Sequence, residues 1–196
     1  MISPVNDAPV VVASASGESF TENGTAVSIF GSATVDLIEA NDAVQSVELT
    51  VSGILDGANE QLTIAGTLID LVTGTHTAAN GFTVNVVTSG SDANVDITRN
   101  QVFSANDLET LLTQAQYSVA GDQVTDGQRV VTIARLQDTG GTLNSGDNDS
   151  LPAIQSAITV VGVNDSPTIT DSILAPTTDN ETNPPGATIS LSLIHI

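Results

Sequence analysis

Apolar and polar residues alternate along much of the chain, and this alternation predicts β-strands. The clearest case is the run from Val44 to Val51, in which Val47, Leu49 and Val51 occupy every second position and polar residues lie between them. A period of two with a single apolar face is typical of a strand that packs on a core on one side only. Gly53 follows as a turn signal, so we predict a half-buried strand that ends there.

Similar runs rich in β-branched residues recur between turns rich in glycine, asparagine and threonine. The predicted strands are residues 9–15, 26–30, 44–51, 61–65, 67–72, 82–88, 94–99, 129–136 and 153–163. Helices do not alternate with these strands, so a parallel sheet built from βαβ units is not expected. The pattern predicts an all-β protein with an antiparallel, Greek-key β-sandwich.

One segment departs from the strand pattern and predicts a helix. Its apolar residues recur with helical spacing at Leu108, Leu111, Leu112 and Ala115. Ser104 and Asp107 precede this apolar stripe with the spacing of a capping box, in which the two side chains bind each other's backbone N–H groups. We therefore predict one short amphipathic helix near residues 104–115 whose leucines belong to the core.

A five-residue sequence occurs twice and indicates tandem modules. Val5-Asn6-Asp7-Ala8-Pro9 returns, with one conservative change, as Val163-Asn164-Asp165-Ser166-Pro167, 158 residues further along the chain. Proline keeps the preceding residue extended, and Asn and Asp favour a chain reversal, which suits a junction between repeats. We predict an inter-repeat linker at residues 1–8, one complete repeat at 9–163, and the junction with a truncated start of a second repeat at 164–196.

Charge and composition narrow the range of partners. The 196 residues include 23 acidic side chains, three arginines and no lysine, for a net charge of −20. This charge disfavours nucleic acid and anionic lipid and makes cations the natural partners. Membrane insertion is not expected, because no apolar run approaches the length of a membrane span, and no signal peptide is visible at the start. Cysteine is absent, which excludes disulfides and thiolate metal sites.

Acidic and amide side chains cluster at places that suit calcium. The clusters are Asn6 and Asp7 with their copies Asn164 and Asp165; Glu22; Asp36, Glu39, Asn41 and Asp42; and Asp138, Asn144, Asp147, Asn148 and Asp149. Calcium takes about six to eight oxygen ligands from carboxylates, amides, carbonyls and water, and this sequence offers such oxygens and nothing softer. The alternative stays open that these residues form solvated turns, since Asn and Asp cap turns without any metal.

Together, the junction, its period, the position of the helix and the acidic segment from Asp107 to Asp149 resemble a known family. They are similar to the cadherin-like, immunoglobulin-like repeats that occur in tandem in very large bacterial surface adhesins, and the resemblance covers residues 5–167. It implies an extracellular, rod-forming repeat whose joints are stiffened by calcium. It also implies linker ligands at Asn6, Asp7, Asn164 and Asp165, and an early-loop ligand at Glu22.

With Asp36 and Glu39 from the third cluster added, these residues form the predicted calcium set. The chain departs from the cadherin pattern at one point. Cadherins place a further aspartate ahead of the linker asparagine, where this chain has Gly162 and Pro4. This departure favours a joint with one ion over a joint with several.

Catalysis finds little support, so we do not expect an enzyme. Paired carboxylates serve in glycoside hydrolysis, but that chemistry needs a cleft lined by aromatic residues, and the chain has one tyrosine and no tryptophan. We expect a structural, calcium-binding repeat that extends an adhesin from the bacterial cell surface, with neighbouring repeats of the same chain as its partners. Two alternatives remain: a module that binds a protein or glycan, and an accessory module of a secreted polysaccharide-degrading enzyme.

Overall fold

Short strands connected by tight turns make up most of residues 5–165, the part of the chain that the computed structural model describes. The strands are β1 (Val10–Ala15), β2 (Ser19–Thr21), β3 (Val27–Ser28), β4 (Phe30–Asp36), β5 (Val44–Ser52), β6 (Glu60–Ile64), β7 (Thr67–Asp70), β8 (Gly74–Thr77), β9 (Phe82–Ser89), β10 (Asp92–Arg99), β11 (Gln116–Val119), β12 (Gly127–Asp138), β13 (Asp149–Ser150) and β14 (Ile154–Val161). The α-helix is α1 (Ala105–Gln114), and short 3₁₀ turns lie at Gly57–Asn59, Ala79–Gly81 and Leu143–Ser145.

The strands form a large sheet, a small sheet and a two-stranded ribbon. The large sheet has the order β2-β14-β12-β5-β10-β9-β8 with β13 added beside β12, the small sheet has the order β3-β11-β6-β7, and the ribbon joins β1 to β4. The predicted all-β sandwich with one short helix is confirmed. One strand pair within residues 5–165, β2 with β14, is parallel, whereas the other pairs are antiparallel.

The parallel pair follows from the short connection between β1 and β2. Only residues 16–18 separate these two strands, and Gly17 among them has a φ of +71°. A glycine adopts this left-handed conformation without steric cost, so the chain can turn here from the ribbon to the large sheet. Strand β2 then lies beside β14 in the same direction.

The core lies between the sheets, where the inward positions of each strand meet. Val47, Leu49 and Val51 are fully buried, which confirms the prediction for this strand. Phe20 of the large sheet and Tyr117 of the small sheet meet edge to face, with ring centroids 6.2 Å apart. Such aromatic pairs add to the free energy gained from burying their area, so this contact helps to hold the two sheets together.

Helix α1 forms as predicted and covers the free edge of β4. The Ser104 side chain accepts a hydrogen bond from the Asp107 N–H, and the Asp107 carboxylate accepts one from the Ser104 N–H. The three leucines of the helix are buried. Glu109 Oε1 accepts the N–H of Val35 at 2.8 Å, so the helix supplies a partner to a backbone group at the edge of β4. Covered edges of this kind do not recruit strands from other chains.

The predictions from the sequence are wrong for several short strands. The predicted strand at 26–30 is split between the small sheet and the ribbon, because Ile29 turns inward and its N–H donates to the Ala115 carbonyl. Strands β2, β8 and β11 are not predicted at all. They are three or four residues long, and β8 is rich in threonine and lies at a sheet edge, so hydrophobic periodicity has little to detect.

The chain divides into two units, residues 1–163 and 164–196. Residues 1–4 of the predicted linker and residues 166–196 of the predicted second repeat lie outside the described part. Within residues 5–165, the one α-helix is too short to cross a membrane.

Candidate cation site at the N-terminal end

Three loops meet where the chain enters the sandwich, and together with the entering peptide they form what we call the N-terminal end. The loops are residues 37–43, 100–104 and 139–148. Two hydrogen bonds of 2.9 and 3.0 Å join Ala43 to Thr139, and the Val44 N–H donates to the Phe103 carbonyl at 2.7 Å. Acidic clusters that lie far apart in the sequence therefore become neighbours.

Asn6 is bound to the 139–148 loop and its flank by main chain and side chain. Its carbonyl accepts the N–H of Asp147 at 2.9 Å, and its Nδ2 donates to the Asp147 carbonyl at 2.6 Å and to Asp138 Oδ1 at 3.1 Å. A Cβ atom at Gly140 would lie 1.9 Å from Asn6 Oδ1, so only glycine leaves room for the amide. The first predicted ligand is thus held beside a loop that begins about 130 residues later in the chain.

Three oxygen atoms at this end are buried without a hydrogen-bond partner: Asn6 Oδ1, Asp42 Oδ2 and Asp138 Oδ2. Asp138 is fully buried, and its other oxygen accepts from Asn6 Nδ2 and the Gly140 N–H. Asp42 and Asp138 directly precede Ala43 and Thr139, which are hydrogen-bonded to each other. A buried carboxylate oxygen without a partner is costly, and a cation is the partner that would remove this cost.

Glu39 and Asp7 also lie at this end and contact each other, whereas Asp36 binds a backbone group of its own turn. The Asp7 N–H points to Glu39 Oε2 at 3.4 Å, a long hydrogen bond. Asp36 is exposed, and its Oδ1 accepts the N–H of Ile38 at 2.9 Å. Ile38 has a φ of +66°, which is unusual for a β-branched residue and indicates strain in this loop.

The donor set suits a hard cation that accepts amide and carbonyl oxygens. Within residues 5–165, no three side chains from His, Asp and Glu approach one another closely enough to hold a metal ion by themselves. A site here would combine the carboxylates of Asp42 and Asp138 with the amide oxygen of Asn6, and calcium accepts such mixtures. Three protein oxygens are fewer than calcium needs, so water or a neighbouring module would have to complete the shell.

Glu22 lies at the opposite end of the sandwich, where β14 leaves it, and we call this the C-terminal end. Glu22 Oε2 accepts the N–H of Val163 at 2.6 Å, and the Glu22 N–H donates to the Val161 carbonyl at 2.8 Å. Asp126 Oδ1 accepts the N–H of the preceding residue, Gly162, at 2.5 Å. Two carboxylates therefore hold the chain as it leaves the module, and Glu22 Oε1 is buried without a hydrogen-bond partner.

The structure thus separates the predicted ligands into groups. Asn6, Asp7 and Glu39 lie at the N-terminal end, and Glu22 lies at the C-terminal end. Asn164 and Asp165 belong to the second unit, where both are exposed. Asp42 and Asp138, which fall in predicted acidic clusters but not in the predicted ligand set, supply two of the three oxygens that have no partner.

A buried ionic network at the C-terminal end is absent from the sequence predictions. Arg129 Nε lies 3.0 Å from Glu60 Oε1, Arg129 Nη2 lies 2.9 Å from Asp56 Oδ2, and the Tyr117 hydroxyl donates to Glu60 Oε2 at 2.7 Å. Arg129 belongs to the large sheet, whereas Glu60 and Tyr117 belong to the small sheet. The network therefore joins the two sheets where the chain crosses twice between them.

The network keeps Tyr117 and Arg129 in fixed protonation states. Burial, and then the adjacent Glu60 carboxylate, raise the pKa of Tyr117 far above its usual value. Burial tends to lower the pKa of Arg129, but its hydrogen bond and charge attraction to Glu60 outweigh burial and raise it. The tyrosine therefore stays a neutral donor, and the arginine stays charged. Strand periodicity contains the signal that was missed, since Arg129 is in phase with the inward-facing Val131 and Ile133.

Comparison with protein-family models, curated proteins and solved structures found no match for this chain. The likeness to cadherin-like adhesin repeats therefore remains a prediction from the residues.

Proposed function

We propose that residues 5–163 form a structural, calcium-binding repeat of an exported bacterial adhesin, which holds a binding tip away from the cell surface. The observation that carries the proposal is the group of buried oxygens without partners on Asn6, Asp42 and Asp138. Asn6 belongs to the repeated junction sequence, and its side-chain amide donates to Asp138. A calcium site at this place links the linker to the body of the repeat.

The chemistry of the site explains how a joint would be stiffened. Asn6 belongs to the linker, whereas Asp42 and Asp138 belong to loops of the sandwich. An ion that binds all three would fix the direction in which the linker leaves the repeat. The ion also offsets repulsion among carboxylates in a chain with a net charge of −20.

The sequence repetition extends this role to the following repeat. Asn164 and Asp165 stand in the junction copy as Asn6 and Asp7 stand in the first, so they would serve as linker ligands of the next module. Glu22 and Asp126 hold the two preceding N–H groups, those of Val163 and Gly162. Each junction would then be held by carboxylates on one side and by a cation site on the other.

One observation favours the alternative of a ligand-binding module. A groove of about 380 Å³ runs beside β1 and is lined mainly by apolar residues, among them Val10, Val12 and Leu151. Within residues 5–165, β1 pairs with β4 alone, so the backbone groups of its other edge form no strand pair and could bind an extended peptide. Binding of peptides without any calcium response would favour this alternative over the stalk.

The first prediction is that calcium stabilises the protein through Asp138. Melting temperature should rise in millimolar calcium relative to chelator, and magnesium should substitute poorly because it demands a tighter octahedral shell. An ion at a hundredfold excess over its Kd adds about 2.7 kcal/mol to the free energy of unfolding. The Asp138→Asn protein should lose this response, and titration calorimetry with calcium chloride should show no binding.

Asp92→Asn is the matched control, because it removes one exposed carboxylate at the opposite end of the strands. It should keep the calcium response of the wild type. Equal melting temperatures in calcium and chelator for the wild type, at matched ionic strength, would reject the calcium-binding repeat.

A further inference from the structure

Large apolar side chains are exposed at the N-terminal end of the sandwich. Among the large apolar side chains of residues 5–165, the three most exposed are Leu143, Val102 and Leu151, with exposed fractions of 84%, 75% and 74%. Leu143 and Val102 lie in the converging loops, and Leu151 follows β13, which pairs with the last residues of β12. Single exposed apolar residues are common, but the two most exposed ones both lie in these loops. We call the side chains of Leu143 and Val102 the apolar cap.

The C-terminal end also exposes apolar side chains. Leu55, in the loop after β5, is 53% exposed, and Val161 and Val163, where the chain leaves the module, are 40% and 50% exposed. The lateral faces carry exposed apolar residues too, for example Leu68 and Val87. Neither lies in a loop that contacts the linker, so they serve below as controls.

The junction sequence determines which surfaces can meet. Val163 of one repeat stands at the position of Val5 of the next, so the C-terminal end of one repeat is followed directly by the N-terminal end of its successor. A short connection of this kind raises the local concentration of one end at the other to the millimolar range. Weak apolar contacts between the ends then become favourable.

We propose that the apolar cap packs against Leu55 and Val161 of the preceding repeat, a second copy of this fold. This inference rests on the tandem arrangement in the proposed function but not on calcium. It assigns two forces to the joint. Apolar contact draws the ends together, and a cation removes the repulsion between their carboxylates. In the absence of calcium, high salt should therefore restore the contact, because it screens charge and strengthens apolar association.

A two-repeat protein tests this contact. It is made by inserting an extra copy of residues 5–162 after Gly162 of the full chain. Amide hydrogen exchange is measured in the loops 100–104 and 139–148 of the second copy, and the maximum dimension is measured by small-angle X-ray scattering. Both are recorded in calcium, in chelator, and in chelator with about 1 M NaCl, where the screening length falls to ~3 Å.

The cap variant carries Val102→Ser and Leu143→Ser in the second copy, and the control carries Leu68→Ser and Val87→Ser on lateral faces. The control positions are about half exposed, at 53% and 51%. In the wild type and the control, we expect exchange of these loops to slow several-fold relative to the single-repeat chain, in calcium and in chelator with high salt. In the cap variant, exchange should return to the single-repeat rate, with an unchanged melting temperature for the single repeat.

The outcomes separate this inference from the proposed function. Loop exchange that is equal in the cap variant and the wild type, or equal in one and two repeats, overturns the apolar joint. If the calcium response of melting temperature persists in that case, the calcium-binding repeat stands without the contact. If calcium has no effect but the cap variant still loses protection, the joint is apolar, and the calcium proposal fails.

Discussion

At the scale of single residues, the fold depends on polar groups that are buried and either satisfied or left without a partner. Arg129, Glu60 and Tyr117 bind one another inside the core, although Arg129 Nη1 has no partner. Asn6 and Asp138 each retain one oxygen with no partner. The first arrangement is an ion pair that joins the two sheets, whereas the second is the place at which we propose a cation.

The buried network should be costly to break at one point. Arg129→Met leaves the Glu60 carboxylate buried without its cation, and such changes typically lower the free energy of unfolding by about 3–5 kcal/mol. Urea denaturation monitored by circular dichroism measures this. Adding Glu60→Gln to the same protein should recover part of the loss, because the buried charge is then gone.

Arg135→Met is the control for this prediction, since the Arg135–Asp149 pair at 2.7 Å is substantially exposed. Exposed pairs contribute about 0–1 kcal/mol. A loss for Arg129→Met no larger than that for Arg135→Met would contradict a structural role for the buried network.

Gly140→Ala tests the position of Asn6. The new Cβ would clash with the Asn6 amide, while the backbone at Gly140 does not require glycine for its φ. Asn6 should leave its place, and the calcium-dependent rise in melting temperature should disappear with only a modest loss of stability. Gly74→Ala, where the nearest atom is 3.7 Å away, should change neither quantity.

At the scale of elements, both local sequence and tertiary contacts stabilise helix α1. The capping box starts the helix, and the buried leucines attach it to the sandwich. Hydrogen bonds from the Ser104 side chain and N–H, followed in importance by the charge of Arg99, hold the pKa of Asp107 below its usual value. With the helix in this position, the Glu109 side chain accepts the N–H of Val35 at the edge of β4.

The cap predicts a pH dependence with a definite sign. Because the folded-state pKa of Asp107 is lowered, its contribution to stability is present above the unfolded pKa of about 3.9 and is lost as pH falls through the lower folded value. Ser104→Ala should therefore lower the free energy of unfolding by the ~1 kcal/mol typical of an N-cap at neutral pH, and by less in acid. Thermal melts from neutral to strongly acidic pH measure this, and an equal loss throughout would contradict the cap.

At the scale of the whole molecule, the unbalanced negative charge opposes folding. All three arginines already form ion pairs with carboxylates, at 2.7–3.0 Å. Lysine is absent, so most of the 23 acidic side chains have no cationic side chain to pair with. Self-repulsion of this kind weakens the compact state.

Sodium chloride should therefore raise the melting temperature gradually as it screens this repulsion. Calcium should add a further, saturable rise at the same ionic strength, because it binds a site rather than only screening charge. A calorimetric series at matched ionic strength separates the two effects. If the melting temperatures in calcium and in sodium fall on the same curve, the acidic loops are solvated turns that bind no calcium.

The sequence by itself determined the local features of this protein. Strand periodicity, the capped helix and the acidic clusters are visible because each depends on neighbours within a few residues. The inward phase of Arg129 was equally visible, although its partners Glu60 and Tyr117 were not, since no local rule pairs residues that far apart. The segments of Asn6, Asp42 and Asp138 were all singled out as acidic clusters.

Tertiary structure alone decided which of those groups meet. The parallel pairing of β2 with β14, the split at Ile29 and the closeness of Asn6 to Asp138 depend on the register of strands far apart in sequence. Register is set by the packing of the whole core rather than by any segment. The oxygens that lack a partner are defined only after every other hydrogen bond has formed, so the candidate cation site exists only in the folded sandwich.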